Sequence, residues 1–95
     1  MKSIPELTRA NFVRSLRRSQ RERIMRGQLE SGDVAALRRF IGLSQAKFAE
    51  ALGISVHTLR NWEQDRRTPE GPALALLRIA ARHPSVVREN VPSAA

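Results

Sequence analysis

Residues 44–63 read SQAKFAEALGISVHTLRNWE, and this stretch decides how the chain folds. Ser44 can cap a helix whose buried side is marked by Phe48, Ala49 and Leu52. Gly53 stops that helix, Ile54 fills the turn and Ser55 caps a second one. At roughly 100° per residue, placing Leu59 toward the core brings Val56 and Trp62 to the same side. His57 and Asn61 then fall nearly opposite, with Gln64 beside them and Thr58 and Arg60 on the flanks. Solvated helix faces are usually built from Glu and Lys. This one carries His, Thr, Arg, Asn and Gln, which can address base edges and phosphates.

The turn supports the same reading. Two helices crossing steeply need a small residue at the contact and a residue tolerant of positive φ between them; Ala49 and Gly53 supply these. Ile54, Leu59 and Trp62 pin the second helix to the first. Those are the mechanical requirements of a helix-turn-helix, in which one helix is braced so that another can enter a groove.

Outward from the motif the pattern stays helical, and no alternating run is long enough for a strand. Upstream, Thr8 can open a helix with Phe12, Leu16 and Ile24 as apolar positions among arginines, interrupted at Ser19 and Arg23. Glu30-Ser31-Gly32-Asp33 reads as a turn ending in a cap. Val34, Leu37, Phe40 and Ile41 follow at helical spacing until Gly42. Downstream, residues 65–71 form a polar connection, and Pro72 suits the first turn of a helix that His83-Pro84 breaks. A short last helix over SVVRENV and a frayed PSAA end complete the chain. The expectation is an all-α bundle of about five helices, with an extra basic helical segment in front. It divides into a basic N-terminal segment 1–32, a DNA-binding domain 33–83 and a C-terminal helix and tail 84–95. The expected core is Leu37, Phe40, Ile41, Phe48, Ala49, Leu52, Ile54, Leu59, Trp62, Leu74, Leu77 and Ile79.

Composition bounds the function. The net charge of +8, with sequence pI ≈ 11.7, points to a polyanionic partner, because neutralising phosphates releases counterions. The excess lies in the first two thirds of the chain. With no cysteine, disulfides and thiolate zinc sites are excluded. No apolar run approaches the roughly 20 residues a membrane span needs. A cytoplasmic, nucleoid-associated protein without cofactor or metal is the expectation.

The run LSQAKFAEALGISVHTLRNWEQDRRTPEG resembles the helix-turn-helix of the lambda-repressor-like, XRE-type regulators. The resemblance rests on Gln45, Ala49, Gly53, Leu59, Trp62-Glu63 and Pro69, and with its supporting helices covers about half the chain, Asp33 to His83. The continuation through Pro72 and ALALL resembles HigA-type antitoxins of type II toxin–antitoxin pairs. The resemblance implies that Ser44 and Gln45 touch the DNA backbone at a helix N-terminus. It places Ser55, Val56, His57, Thr58, Arg60 and Asn61 in the major groove, and Arg66 and Arg67 on flanking phosphates. One short helix reads too few base pairs for useful specificity, so a homodimer on a palindromic operator is expected. It would be joined through the helix after Pro72 and a Val86-Val87-Val91 stripe, whose apolar surface exceeds what one small core needs. A small toxin would be held by the N-terminal segment or the C-terminal helix. The alternative is a stand-alone XRE-type repressor. Where the family often has glycine this chain has Asp65, so a left-handed residue with some local strain is expected there.

Individual residues have plainer readings. Val56 either packs inward or meets a thymine methyl, and Trp62 is core because it shares a face with Leu59. The arginines of residues 9–26 are a solvated face, a minor-groove arm or a partner-binding segment. Ser55, His57 and Asp65 have the letters of a nucleophilic triad, but Ser55 serves as a cap and His57 points away from Asp65. No glycine-rich phosphate cradle accompanies them, so an enzyme is not expected.

Overall fold

The computed structural model describes residues 16–92. They form six α-helices: α1 (Arg18–Met25), α2 (Asp33–Ile41), α3 (Gln45–Leu52), α4 (Val56–Glu63), α5 (Pro72–Arg82) and α6 (Pro84–Glu89). No strand occurs among the described residues, so the bundle is all-helical as expected. The helix start at Thr8, and Phe12 with it, lie outside the described residues.

Local chemistry sets the boundaries of the motif. The Ser44 hydroxyl accepts from the Lys47 N–H at 3.1 Å and the Ser55 hydroxyl from the Thr58 N–H at 3.0 Å, satisfying donors that a helix start leaves unpaired. At the end of α3, Gly53 turns left-handed (φ 73°), letting its N–H reach Glu50 and the Ile54 N–H reach Ala49. A Cβ at Gly53 would meet nothing within 4 Å, so a substitution there costs only backbone strain. The same closure ends α4. Asp65 takes the left-handed position (φ 60°), its N–H bonds Trp62, and the Arg66 N–H bonds Asn61 at 2.9 Å. Asp65 is the one non-glycine residue with positive φ among those described, and its carboxylate accepts from the Ser31 hydroxyl at 2.6 Å.

The start of α2 differs from expectation. Asp33 is the first helical residue, not the cap, and Gly32 precedes it in a left-handed conformation. Its carboxylate turns back to accept from the Glu30 N–H at 2.9 Å and from Arg23 Nη2 at 2.7 Å. A buried carboxylate is tolerable here because it is paired, and it lies where the helix dipole favours negative charge.

Ile24, Leu37, Ile41, Phe48, Leu59 and Leu77 are fully inaccessible and form the centre of one core, closed by Ala49, Leu52 and Trp62. Phe40, Ile54 and Leu74 are half-buried. Ile79 is 47 % exposed, against expectation, while its neighbours Ala80 and Ala81 are at 0 %. α5 is apolar on nearly every side, so periodicity could not choose its buried face. It packs against α1 and α6, and small residues at the contact allow close approach. Val87 and Val91 are buried in this same core, so only Val86 of the expected dimer stripe remains outside, at 55 % exposure.

Side chains from distant segments cap helix C-termini, where carbonyls lack partners. Arg21 donates from Nε to the Ala81 carbonyl at 2.8 Å and from Nη2 to Arg82 at 3.4 Å. In return Arg78 and Arg82 donate to the Met25 carbonyl, at 3.1 and 3.4 Å. Arg88 holds the Ile41 carbonyl at 2.9 Å and Asn90 the Ala51 carbonyl at 2.8 Å. These bonds tie α1 to α5, and tie the C-terminal α6 segment to α2 and to α3 of the motif.

Candidate nucleic-acid interface

α4 is seated by Leu59 (0 % exposed) and Trp62 (7 %), with Val56 half-buried against the same core. Of its two open readings, Val56 takes the inward one for much of its surface. Each fully buried side chain of this size contributes about 1.5–3 kcal/mol, enough to hold α4 in one rotational setting. His57 and Arg60 are therefore exposed, and Thr58 and Asn61 are half-exposed on the same outer side.

Two walls flank this row. On one side His57, Thr58, Asn61 and Trp62 face Arg67, Thr68, Pro69, Glu70 and Ala73 across a cleft of about 440 Å³. On the other stands the start of α3. There Gln45 Nε2 donates to Glu63 Oε1 at 3.0 Å, and Gln45 Oε1 accepts from Arg60 Nε at 3.3 Å. Glu63 is gripped from behind by Arg38, whose Nε and Nη2 meet its two carboxylate oxygens at 2.7 and 3.2 Å. Arg38 also donates from Nη1 to the Leu43 carbonyl at 3.1 Å. This bidentate pair joins α2, α4 and the loop between α2 and α3, and sets the angle at which α4 leaves the domain.

The ten residues expected at the interface thus fall into four places. His57, Thr58, Asn61 and Arg67 share the cleft. Gln45 and Arg60 are bonded to one another on the opposite flank, with Ser44 one residue before Gln45. Ser55 and Val56 lie at the start of α4, where the Ser55 hydroxyl also donates to Thr58 Oγ1 at 3.0 Å. Arg66 stands apart in the loop, exposed. The side chains of Arg66 and Arg67 form no hydrogen bond or ion pair with the described residues. The letters of a triad do not assemble, because Ser55 bonds Thr58 and Asp65 bonds Ser31.

Sequence reasoning missed Arg38 and Glu63 as parts of this site. The signal was Glu63 itself, an acidic group in the Trp62-Glu63 pair at the edge of an otherwise basic surface, which needed a cation from another helix. It placed Gln45 at the N-terminus of a helix facing the DNA backbone, and gave no sign that both ends of its side-chain amide are occupied within the protein.

Among the described residues no helix is long and apolar enough to cross a membrane. Comparison with known proteins agrees with the geometry. Residues 34–79 match a family model described as helix-turn-helix. The chain is 38% identical over 55 residues to Antitoxin HigA-2 of Vibrio cholerae, covering 58% of this chain and 53% of that one. It is 32% identical over 57 residues to the uncharacterized HTH-type transcriptional regulator YiaG of Escherichia coli, covering 60% and 59%. The chain thus spans between half and three fifths of the length of these relatives. No solved structure matches it. A braced second helix with an open polar face, held in a matching segment, makes residues 34–79 a helix-turn-helix domain of the XRE type.

Proposed function

We propose that this chain is a sequence-specific transcriptional regulator and the antitoxin of a type II toxin–antitoxin pair, repressing its own operon and neutralising a small toxin in the cytoplasm. The observation that carries the DNA reading is the row His57, Arg60 and Asn61 on a helix whose other side is locked by Leu59 and Trp62. In this reading α4 enters the major groove with Ser55, Val56, His57, Thr58, Arg60 and Asn61, and the domain 33–83 does the recognition. Ser44 and the backbone N–H groups opening α3 at Gln45 meet phosphate, as a helix N-terminus favours. Arg66 and Arg67 meet flanking phosphates. One short helix reads few base pairs, so two copies act together, with recognition helices about 34 Å apart on a palindromic operator. Among the described residues, Leu76 and Ile79 on α5 and Val86 on α6, at 36, 47 and 55 % exposure, are the large apolar side chains available for the second copy. Val87 and Val91 are not.

The name of the Vibrio relative supports the antitoxin role, and that of the Escherichia relative supports a second reading, a stand-alone repressor. A small toxin reading frame beside the gene, whose product co-purifies with this chain, separates the two.

The test of DNA reading uses a duplex selected by the full chain from a randomised pool. Arg60→Ala and Asn61→Ala each cost ~1–3 kcal/mol on that duplex and relax preference at one base pair, with a smaller loss on scrambled DNA. Equal losses on both duplexes would place α4 outside the groove.

A further inference from the structure

A row of polar groups crosses from the core to the surface beside α4. It starts at the Arg38–Glu63 pair, whose side chains are only 14 % and 8 % exposed, passes through the half-buried Gln45 amide and ends at the exposed Arg60 guanidinium. The order of donors along it is fixed by chemistry. A carboxylate accepts only, so the end of Gln45 that faces Glu63 is its NH₂, and its carbonyl oxygen is left to face Arg60. Turned the other way, the amide would set oxygen against carboxylate and NH₂ against guanidinium. Arg38 holds Glu63 by two contacts and so keeps the carboxylate from swinging out to take Arg60 itself.

We propose that Gln45 is a positioning residue for base recognition: it holds Arg60 by Nε and leaves the two terminal Nη groups facing outward as a fork. This rests on the reading of α4 as the recognition helix and adds how its arginine is aimed. Arginine has five N–H donors in a planar fork, and two edges can meet an acceptor pair such as guanine O6 and N7. With Nε occupied at 3.3 Å by Gln45, the edge containing Nε is closed and the end-on edge, Nη1 with Nη2, is presented. A long side chain restrained before binding loses less rotamer freedom when it docks. The buried ion pair acts at one remove, since it orients the amide that orients the arginine. Lysine at position 60 could not use the device, because an ammonium has no planar fork.

The experiment measures the full chain on a duplex selected from a randomised pool, on its single-base-pair variants and on scrambled DNA. Gln45→Met keeps length and helix propensity, removes both amide groups and leaves Glu63 paired with Arg38. It is expected to lower discrimination about 2- to 10-fold, the range of a charge-assisted hydrogen bond weakened by its length and exposure, at the same base pair that Arg60→Ala relaxes. Affinity for scrambled DNA should fall less than affinity for the selected duplex, and Gln45→Met should cost no further discrimination in an Arg60→Ala background. In the free protein, a slowly exchanging Arg60 Nε–H resonance should be present and should be lost in Gln45→Met. Unchanged discrimination, an equal loss on all duplexes, or additivity in the double variant would overturn the proposal. If Arg60→Ala relaxes one base pair and Gln45→Met does not, the aiming device fails while α4 remains the reading helix. If Arg60→Ala itself leaves preference untouched, both readings fall.

Discussion

α1 and α4 are each eight residues long and each carries arginine among few apolar residues, yet their polar groups serve opposite ends. In α1, Arg21 caps the carbonyls of Ala81 and Arg82, and Arg23 pairs with the buried Asp33 at 2.7 Å. In α4, Arg60 is held only by an amide, and His57 is exposed. The difference teaches that a net charge of +8 does not measure what a phosphate can reach. Arg21 still adds to the molecule's field, but its Nε and Nη2 groups already hold carbonyls. The electrostatic footprint belongs to cations that no carbonyl or carboxylate already holds, and on this surface Arg66 and Arg67 are such groups.

The comparison breaks most sharply in the core. Ile24 of α1 and Leu59 of α4 are both at 0 % exposure, and truncating either to alanine should destabilise by ~2–5 kcal/mol in urea unfolding. Their effects on DNA should part. At a temperature where both variants remain folded, Ile24→Ala should bind the selected duplex as the parent does, because α1 buttresses α5 and α2 rather than the outer face of α4. Leu59→Ala should bind poorly, because α4 loses its seat. Equal losses of affinity would make α1 part of the interface.

That contrast also explains what the sequence made legible. The motif announced itself because its signals are local: Ser44 and Ser55 are caps, Gly53 and Asp65 take left-handed positions, and Trp62 shares a face with Leu59. The domain's periphery depends on partners far along the chain. Nothing near Arg21 in sequence reveals a carbonyl 60 residues away, and a stripe broken by arginines hides that Ile24 is core. α5 could not be phased because hydrophobicity favours Ile79 over Ala81, whereas close packing against neighbours favours the smaller residue. At the site, the outward residues of α4 followed from helical spacing, but the Gln45 amide needed the positions of Glu63 and Arg60 together.

A smaller effect tests the capping role of the α1 arginines. Arg21→Met keeps most of the aliphatic stem and removes two donors to the last carbonyls of α5. Stability should fall by about 1 kcal/mol, the usual net value of such a bond at a partly exposed site. The salt dependence of DNA binding should stay the same, since those donors face the protein. A shallower salt slope would mean that Arg21 leaves its carbonyls for phosphate when DNA is present.

The smallest change in folding and the clearest in binding belongs to Arg66 and Arg67. Both side chains are exposed and lie past the end of α4, in the loop closed by Asp65, and neither bonds the described residues. Replacing either with alanine should leave the unfolding midpoint within experimental error, because no packing or bond is lost. Binding should weaken on selected and scrambled duplexes alike, and the slope of log affinity against log salt should become shallower by about one unit per lost contact. The two need not be equal. Arg67 lines the cleft together with Glu70, while Arg66 stands outside it, next to Asp65, whose carboxylate already takes the Ser31 hydroxyl. Arg66→Ala should therefore show the larger loss in a titration from low to moderate salt. If Arg67→Ala instead changes preference at a particular base pair, the cleft receives a base edge rather than backbone, and α4 must lie in the groove rotated toward Asn61 and away from Arg60.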